Sequence, residues 1–206
     1  MITLHHLNNS RSQRILWLLE ECGADYEIVG YQRDARTNLA PPELRAVHPL
    51  GKSPMVETDG RLIVESAAIV ECICAAHAPH MVPKAGSEAH IEHLELMHFA
   101  EGSAMTPVLL KLYTSRLGEA AAPLKPRIDE QLTSHFAHME SALRPSGHFV
   151  LDELSAADIM LSFPAEIAIR QGYGDTMPKL ATFVKMIHDR PAYRRALERG
   201  GPYAYA

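Results

Sequence analysis

The chain has 206 residues, 47% of them apolar and 22% charged, and its 20 Lys and Arg against 25 Asp and Glu leave a net charge of −5. This is globular composition, long enough to bury one large core or two small ones without a disulfide or metal staple. The acidic balance excludes the clustered cations through which proteins hold nucleic acid, and no stretch approaches the ~20 apolar residues of a membrane span.

The first segment, Ile2 to Leu7, is strand-like and stops at the turn-forming Asn8-Asn9. The period then changes. Ile15, Leu18, Leu19 and Cys22 recur at i, i+3, i+4 and i+7, one face of a helix closing at Gly23. Ser10-x-x-Gln13 fits a capping box at its start, with the Ser10 oxygen accepting from the Gln13 amide. Tyr26 to Tyr31 reads as a second strand, so strand, helix and strand within about thirty residues predict a right-handed βαβ unit. A short helix is expected over Pro41 to Val47, followed by the breaker-rich Pro49-Leu50-Gly51-Lys52-Ser53-Pro54. Met55 to Thr58 and Arg61 to Val64 flank Asp59-Gly60, a strong hairpin signal. Glu65-Ser66 then opens a helix running to about His77.

Residues 79–88 carry Pro79, Pro83 and Gly86 without periodicity, which is linker composition with a boundary near Pro83. The organisation expected is therefore an α/β domain over 1–78, a linker over 79–88 and an all-helical domain over 89–206. Its helices are predicted at His90 to Tyr113, Pro126 to Leu143, Ala156 to about Gln171 and Pro178 to Arg199. Leu154, Ser155, Asp158 and Ile159 stand at the N′, N-cap, N3 and N4 positions of the third, supplying a capping box and a hydrophobic staple together. Pro164 within that helix should bend it. Gly200 to Ala206 reads as a mobile tail, although Tyr203 and Tyr205 would be wasted there without something to receive them. Cys22, Cys72 and Cys74 form neither a Cys-x-x-Cys pair nor a disulfide framework. With the polar Asn8, Asn9 and Ser10 breaking any signal-peptide core, the expected compartment is the cytoplasm.

Leu50-Gly51-Lys52-Ser53-Pro54 followed by Glu65-Ser66-Ala67-Ala68-Ile69, with Ser155-Ala156-Ala157-Asp158 later in the chain, resembles the glutathione S-transferase family over essentially the whole sequence. Asn8 to Ser12 leading into Ile15 to Glu21, with His98-Phe99-Ala100-Glu101-Gly102-Ser103, resembles a bacterial and fungal branch of it. The resemblance implies a thioredoxin-like N-terminal domain joined to an all-helical C-terminal one, a homodimer, and glutathione as co-substrate for attack on a hydrophobic electrophile. It also implies roles for individual residues. Glu65 and Ser66 would hold the γ-glutamyl end, where a hydroxyl and helix N-terminal amides suit a carboxylate and Glu65 suits the amine. The Ser53-Pro54 bond would be cis, its backbone pairing with the cysteinyl residue; the family more often has an apolar residue at Ser53. Lys52 would reach the glycine carboxylate as a point charge.

The thiol is nucleophilic only as thiolate, and lowering its pKa by ~2 units takes about 2.7 kcal/mol. Ser10, in the turn four residues before Arg14, matches the members that use serine for this, with Asn8, Asn9 and Ser12 close enough to substitute. The turn holds no tyrosine for a tyrosine-type mechanism, no cysteine for a mixed-disulfide one, and departs from the Ser-Ser-Cys of zeta-type isomerases. The electrophile site is expected to include His98, Glu101, Met105 and Tyr113, with Glu101 also a candidate to reach a partner subunit's γ-glutamyl amine. The histidines, His90, His93 and His98 on one helix and His135 with His138, lack the flanking ligands of a metal signature, so no metal is expected. A non-catalytic module of the same fold, and a glutathione-dependent peroxidase or isomerase, are the alternative functions.

Overall fold

The computed structural model describes residues 1–206, and the chain divides into two units: Met1–Val82 with Met186–Ala206, and Pro83–Lys185.

In the first unit, β1 (Ile2–Leu7), β2 (Tyr26–Tyr31), β3 (Met55–Thr58) and β4 (Arg61–Val64) form one sheet in the order β2-β1-β3-β4. β1 runs parallel to β2 and antiparallel to β3, and the β3–β4 hairpin turns on Asp59-Gly60, both with positive φ (51° and 74°). Such a turn matches strand twist and tolerates only residues at ease in the left-handed region. Side chains alternate across β1. Leu7 meets Leu44 of α2 (Leu44–Val47) and Met55 of β3 on one face. Ile2, Leu4 and His6 point to the other, towards α1 (Ser12–Cys22), which packs on β1 and on α3 (Ser66–His77).

α1 ends at Gly23 as its sequence predicts, but it is buried on more than one face: Ile15, Leu16, Trp17, Leu18 and Leu19 are all fully enclosed. The additional cover is α9 (Pro191–Gly200), whose Tyr193 ring meets Trp17 edge to face at 5.6 Å. Its arginines reach the polar end of α1, Arg195 and Arg199 on Glu20 and, just before the helix, Arg190 on Glu21 through two nitrogens. Gly200 closes the contact: a Cβ there would lie 2.7 Å from Leu16 Cδ1 and 3.0 Å from Gln13 Oε1, so only glycine fits without displacement.

In the second unit, the helix expected from His90 to Tyr113 is α4 (Glu88–Phe99), a π-helical turn over Ala100–Ala104 and α5 (Met105–Thr114). Ser103 O in that turn accepts from His135 Nδ1 at 3.1 Å on α6 (Lys125–Ala142). The α7 helix (Ala156–Arg170) is capped as its sequence requires: Ser155 N–H and Oγ–H both donate to Asp158 Oδ2, at 2.7 and 2.6 Å, while Phe149 N–H donates to Oδ1 at 3.0 Å. The single helix expected from Pro178 to Arg199 is instead two, α8 (Pro178–His188) and α9, because Pro191 cannot continue a helix and takes the first position of the next. At the start of α8, the Glu140 carboxylate accepts from the amides of Lys179 and Leu180, a charge placed where the helix dipole favours it.

Candidate functional site

Sheet register gathers the motif residues of the first unit at one end of the sheet. His5 pairs with Met55 and Met55 with Val64, so the residues flanking those pairs, Leu7 to Ser10, Ser53-Pro54 and Glu65-Ser66, leave the sheet at the carboxyl end of β1. The Ser53-Pro54 bond is cis. Ser53 fastens this loop to β1, its hydroxyl donating to His5 O at 2.8 Å and accepting from Leu7 N at 3.2 Å. A serine in place of an apolar residue is thereby explained, because ladder pairing with β3 has run out at His5 and the hydroxyl satisfies the backbone beyond it.

Glu65 precedes α3 with φ 70° and ψ 122°, a conformation rare for a residue with a side chain. Its side chain makes no cap, and Ser66 is the first residue of the helix rather than its N-cap. Simple capping therefore does not explain the pair. Ser66 is buried, 4% exposed, beside the free amides of the first turn, whereas Glu65 and Lys52 are exposed.

The turn from β1 into α1 is held by an arginine that the sequence pattern did not single out. Arg33 donates its backbone N–H to Asn8 Oδ1 at 2.8 Å, and its guanidinium takes the carbonyls of Asn8 and Asn9 at 3.1 and 3.2 Å. With those carbonyls aimed at Arg33, the amides of Asn9 and Ser10 face the opposite way, since C=O and N–H oppose each other in a trans peptide. Asn9 occupies the left-handed region at φ 50°, and its side-chain oxygen accepts from the amide of Ala204 at 2.8 Å. Residues 200–206, expected as a mobile tail, return to this turn, with Tyr203 and Tyr205 edge to face at 5.4 Å.

The capping box expected between Ser10 and Gln13 does not form. Gln13 N–H bonds the Ser10 backbone oxygen at 3.2 Å, while the Ser10 hydroxyl oxygen accepts from Ser12 N at 3.2 Å and lies 2.9 Å from Ser12 Oγ. Position Arg11 is the N-cap, so the helix starts one residue later than the pattern suggests, and Ser10 faces Ser12 instead. His6, behind Ser12, was legible only as a polar residue at an inward position of an apolar strand.

The chain's own cysteines lie elsewhere. Burial pushes Cys22 up to about 11 and Cys74 up to about 12, and neither is in the turn, so neither supplies a thiolate at neutral pH. No group of three or more His, Cys, Asp or Glu is arranged to hold a metal ion.

The residues expected at an electrophile site lie on the second unit. His98 is exposed near the end of α4, Glu101 is partly buried in the π-helical turn, Met105 is 2% exposed in the core, and Tyr113 is 58% exposed near the end of α5. His98 and Tyr113 are separated by about 22 Å of helix rise, so the four do not line one small pocket. Met105 packs instead of presenting a surface.

Residues 1–74 match the family described as glutathione S-transferase, N-terminal domain. Glutathione S-transferase 3 of Schizosaccharomyces pombe is 34% identical over 217 aligned positions, which cover 97% of this chain and 88% of that protein. Glutathione S-transferase 1 of Saccharomyces cerevisiae is 28% identical across 97% of this chain and 95% of its own. Among solved structures, a glutathione S-transferase from Actinobacillus pleuropneumoniae superposes with a TM-score of 0.89 at 31% identity, covering 100% of this chain and 95% of that one. A glutathione transferase homologue from Sulfitobacter with bound glutathione shares the fold at a TM-score of 0.83 and 19% identity, over 97% of this chain and 98% of that one.

Proposed function

The chain belongs to the glutathione S-transferase family, and from that premise we propose which of its residues bind and ionise glutathione. It is a transferase with glutathione as co-substrate. In our reading Ser66 Oγ and the first amides of α3 receive the γ-glutamyl carboxylate, Glu65 faces the amine, the backbone of Ser53 pairs with the cysteinyl residue, and Lys52 meets the glycine carboxylate. Ser10 donates its hydroxyl to the sulfur. The thiolate then attacks a hydrophobic electrophile by addition or displacement. The carrying observation is the convergence of Ser10, the cis Ser53-Pro54 bond and Ser66 at the carboxyl end of β1.

Stabilising the thiolate by ~2 pKa units takes about 2.7 kcal/mol, which one hydroxyl donated to a charged acceptor, together with the positive end of α1, can provide. Turnover of an aryl halide electrophile by the wild type and Ser10→Ala tests the assignment. A fall in kcat/KM of about 10²-fold is expected, and unchanged turnover would move the role to Asn8, Asn9 or Ser12. The same reading includes a two-fold homodimer in the cytoplasm. Sedimentation at micromolar concentration checks the dimer, a purely monomeric boundary being the contrary result.

A further inference from the structure

Behind the first turn, three buried side chains form a continuous polar chain that ends on the backbone of α9. Ser10 Oγ lies 2.9 Å from Ser12 Oγ, Ser12 Oγ lies 2.8 Å from His6 Nδ1, and His6 Nε2 lies 3.2 Å from Gly200 O. None of the three side chains is more than 5% exposed.

The direction of the chain follows from its far end. A carbonyl oxygen only accepts, so His6 Nε2 carries a hydrogen. Burial holds the imidazole below its ordinary 6.5 despite that bond, so the ring is neutral and Nδ1 is an acceptor. Ser12 therefore gives its single proton to Nδ1, the nearer of its two acceptors, Leu7 O being at 3.1 Å. The Ser12 oxygen receives a share of Leu7 N–H, which is forked between Ser12 Oγ and Ser53 Oγ at 3.2 Å each, and the Ser10 hydroxyl. Ser10 Oγ in turn accepts Ser12 N–H and, having two lone pairs, can take one further donor. Every member can thus accept a proton on the side of the turn and pass one towards the imidazole.

We propose that His6 is the terminal proton acceptor in the ionisation of glutathione: the thiol proton passes to Ser10 Oγ, the Ser10 proton to Ser12 Oγ, and the Ser12 proton to His6 Nδ1. This rests on the reading of Ser10 as the group at the sulfur. One S–H bond breaks, one N–H bond forms, each hydroxyl exchanges one proton for another, and no electron moves. The transfer also reverses the chain, so that His6 donates to Ser12, Ser12 to Ser10 and Ser10 to the thiolate, with no heavy atom displaced. His6 touches no reacting atom and is a positioning residue that also stores the proton. A thiolate formed at the other end makes the imidazolium one half of an ion pair, which offsets the burial that otherwise keeps the ring neutral.

The surroundings of His6 leave it this role. His5, on the opposite face of β1, has its ring nitrogens on Tyr31 and Glu57. On α9, Arg195 and Arg199 are held by Glu20; on α1, Arg14 is the other buried basic side chain. No carboxylate contacts His6 to compete for its proton. The end of α9 is shaped for this contact, since a Cβ on Gly200 would stand 3.3 Å from His6 Nε2 as well as against Leu16.

The test compares the wild type with His6→Asn, which offers Ser12 an amide oxygen near the place of Nδ1 but cannot take a proton, and with Ser10→Ala. Two readouts are needed: thiolate absorbance of bound glutathione against pH, and protons released on binding, from calorimetry in two buffers of different ionisation enthalpy. The wild type is expected to form thiolate while releasing well under one proton per site. In His6→Asn the bound thiol should titrate about one pH unit or more higher, with each thiolate matched by a proton in the buffer. His6→Asn equal to wild type in both readouts, or a full proton released by the wild type, overturns the relay. An unmoved titration in Ser10→Ala overturns the reading of Ser10 itself; a raised one in Ser10→Ala with His6→Asn unmoved removes the relay alone. If His6→Asn does not fold, Ser12→Ala cuts the chain between its ends and carries the same two expectations.

Discussion

At the scale of the residue, the proposed site divides its work between groups that would bind and groups that would ionise glutathione, and the two classes should fail differently. Ser66 sits buried at the first position of α3 beside amides with no partner in the helix, a place suited to a carboxylate in substrate and transition state alike. Ser66→Ala should therefore raise the KM for glutathione about 10-fold and leave kcat within about two-fold, which steady-state kinetics at varied glutathione will check. A change confined to kcat would assign Ser66 to chemistry. Ser10 should behave in the opposite way, because a bond to sulfur strengthens as the thiolate forms. The residues recognised in the sequence were those tied to local motifs: the breaker-rich loop at Ser53-Pro54, the helix start at Glu65-Ser66 and the serine after β1. Arg33 and His6 act through partners 24 and 194 positions away in the chain, Asn9 and Gly200, and no spacing rule carries contacts of that range.

At the scale of the element, two helix ends fix the two units. Asp158 is fully buried and accepts three hydrogen bonds, two from Ser155 and one from Phe149. Its loss strands donors as well as a cap, so the cost exceeds the ~1 kcal/mol of a cap alone. Asp158→Ala should lower unfolding stability by about 3–4 kcal/mol, measured by urea titration; a loss under 1 kcal/mol would reduce the motif to an ordinary surface cap. In the first unit Tyr193 is 1% exposed against Trp17, the only tryptophan of the chain. Tyr193→Ala should cost about 3–5 kcal/mol through the cavity it leaves and should shift Trp17 fluorescence to longer wavelength as water reaches the indole. Unchanged emission would contradict the docking of α9 described above. The sequence resolved the hairpin, the strands of the βαβ unit and the capped start of α7, where turn chemistry and periodicity agree. It ran α8 and α9 together because the apolar period crosses Pro191, and it showed one face of α1 where the fold covers more, because the cover comes from the far end of the chain.

At the scale of the whole molecule, buried histidines set the acid limit of stability. Burial lowers His6, and burial with the neighbouring His90 lowers His93, so the folded chain binds fewer protons than the unfolded one below about 6.5. Their contribution is therefore complete above that pH and is lost as pH falls towards the folded values. Burial alone would raise Glu20, but hydrogen bonds from Tyr26, Arg195 and Arg199 outweigh it and hold it below its ordinary 4.5. Its contribution is present above 4.5 and fades as pH falls through the lowered value, a second and more acidic loss. Urea midpoints should decline between pH 7.5 and 5.5, and His93→Leu should flatten that slope, because His93 Nδ1 has no hydrogen-bond partner to lose. A pH-independent midpoint across this range would contradict the burial of both rings. In the proposed function the same molecule must also change the acidity of what it binds, since burial pushes Cys22 and Cys74 up and the nucleophile is the thiol of glutathione. The most direct test is the ultraviolet difference spectrum of glutathione bound to the wild type, followed against pH. Thiolate absorption at pH 7, titrating well below the ~8.5 of a free thiol, is the predicted result, and bound glutathione titrating like the free peptide would contradict the account.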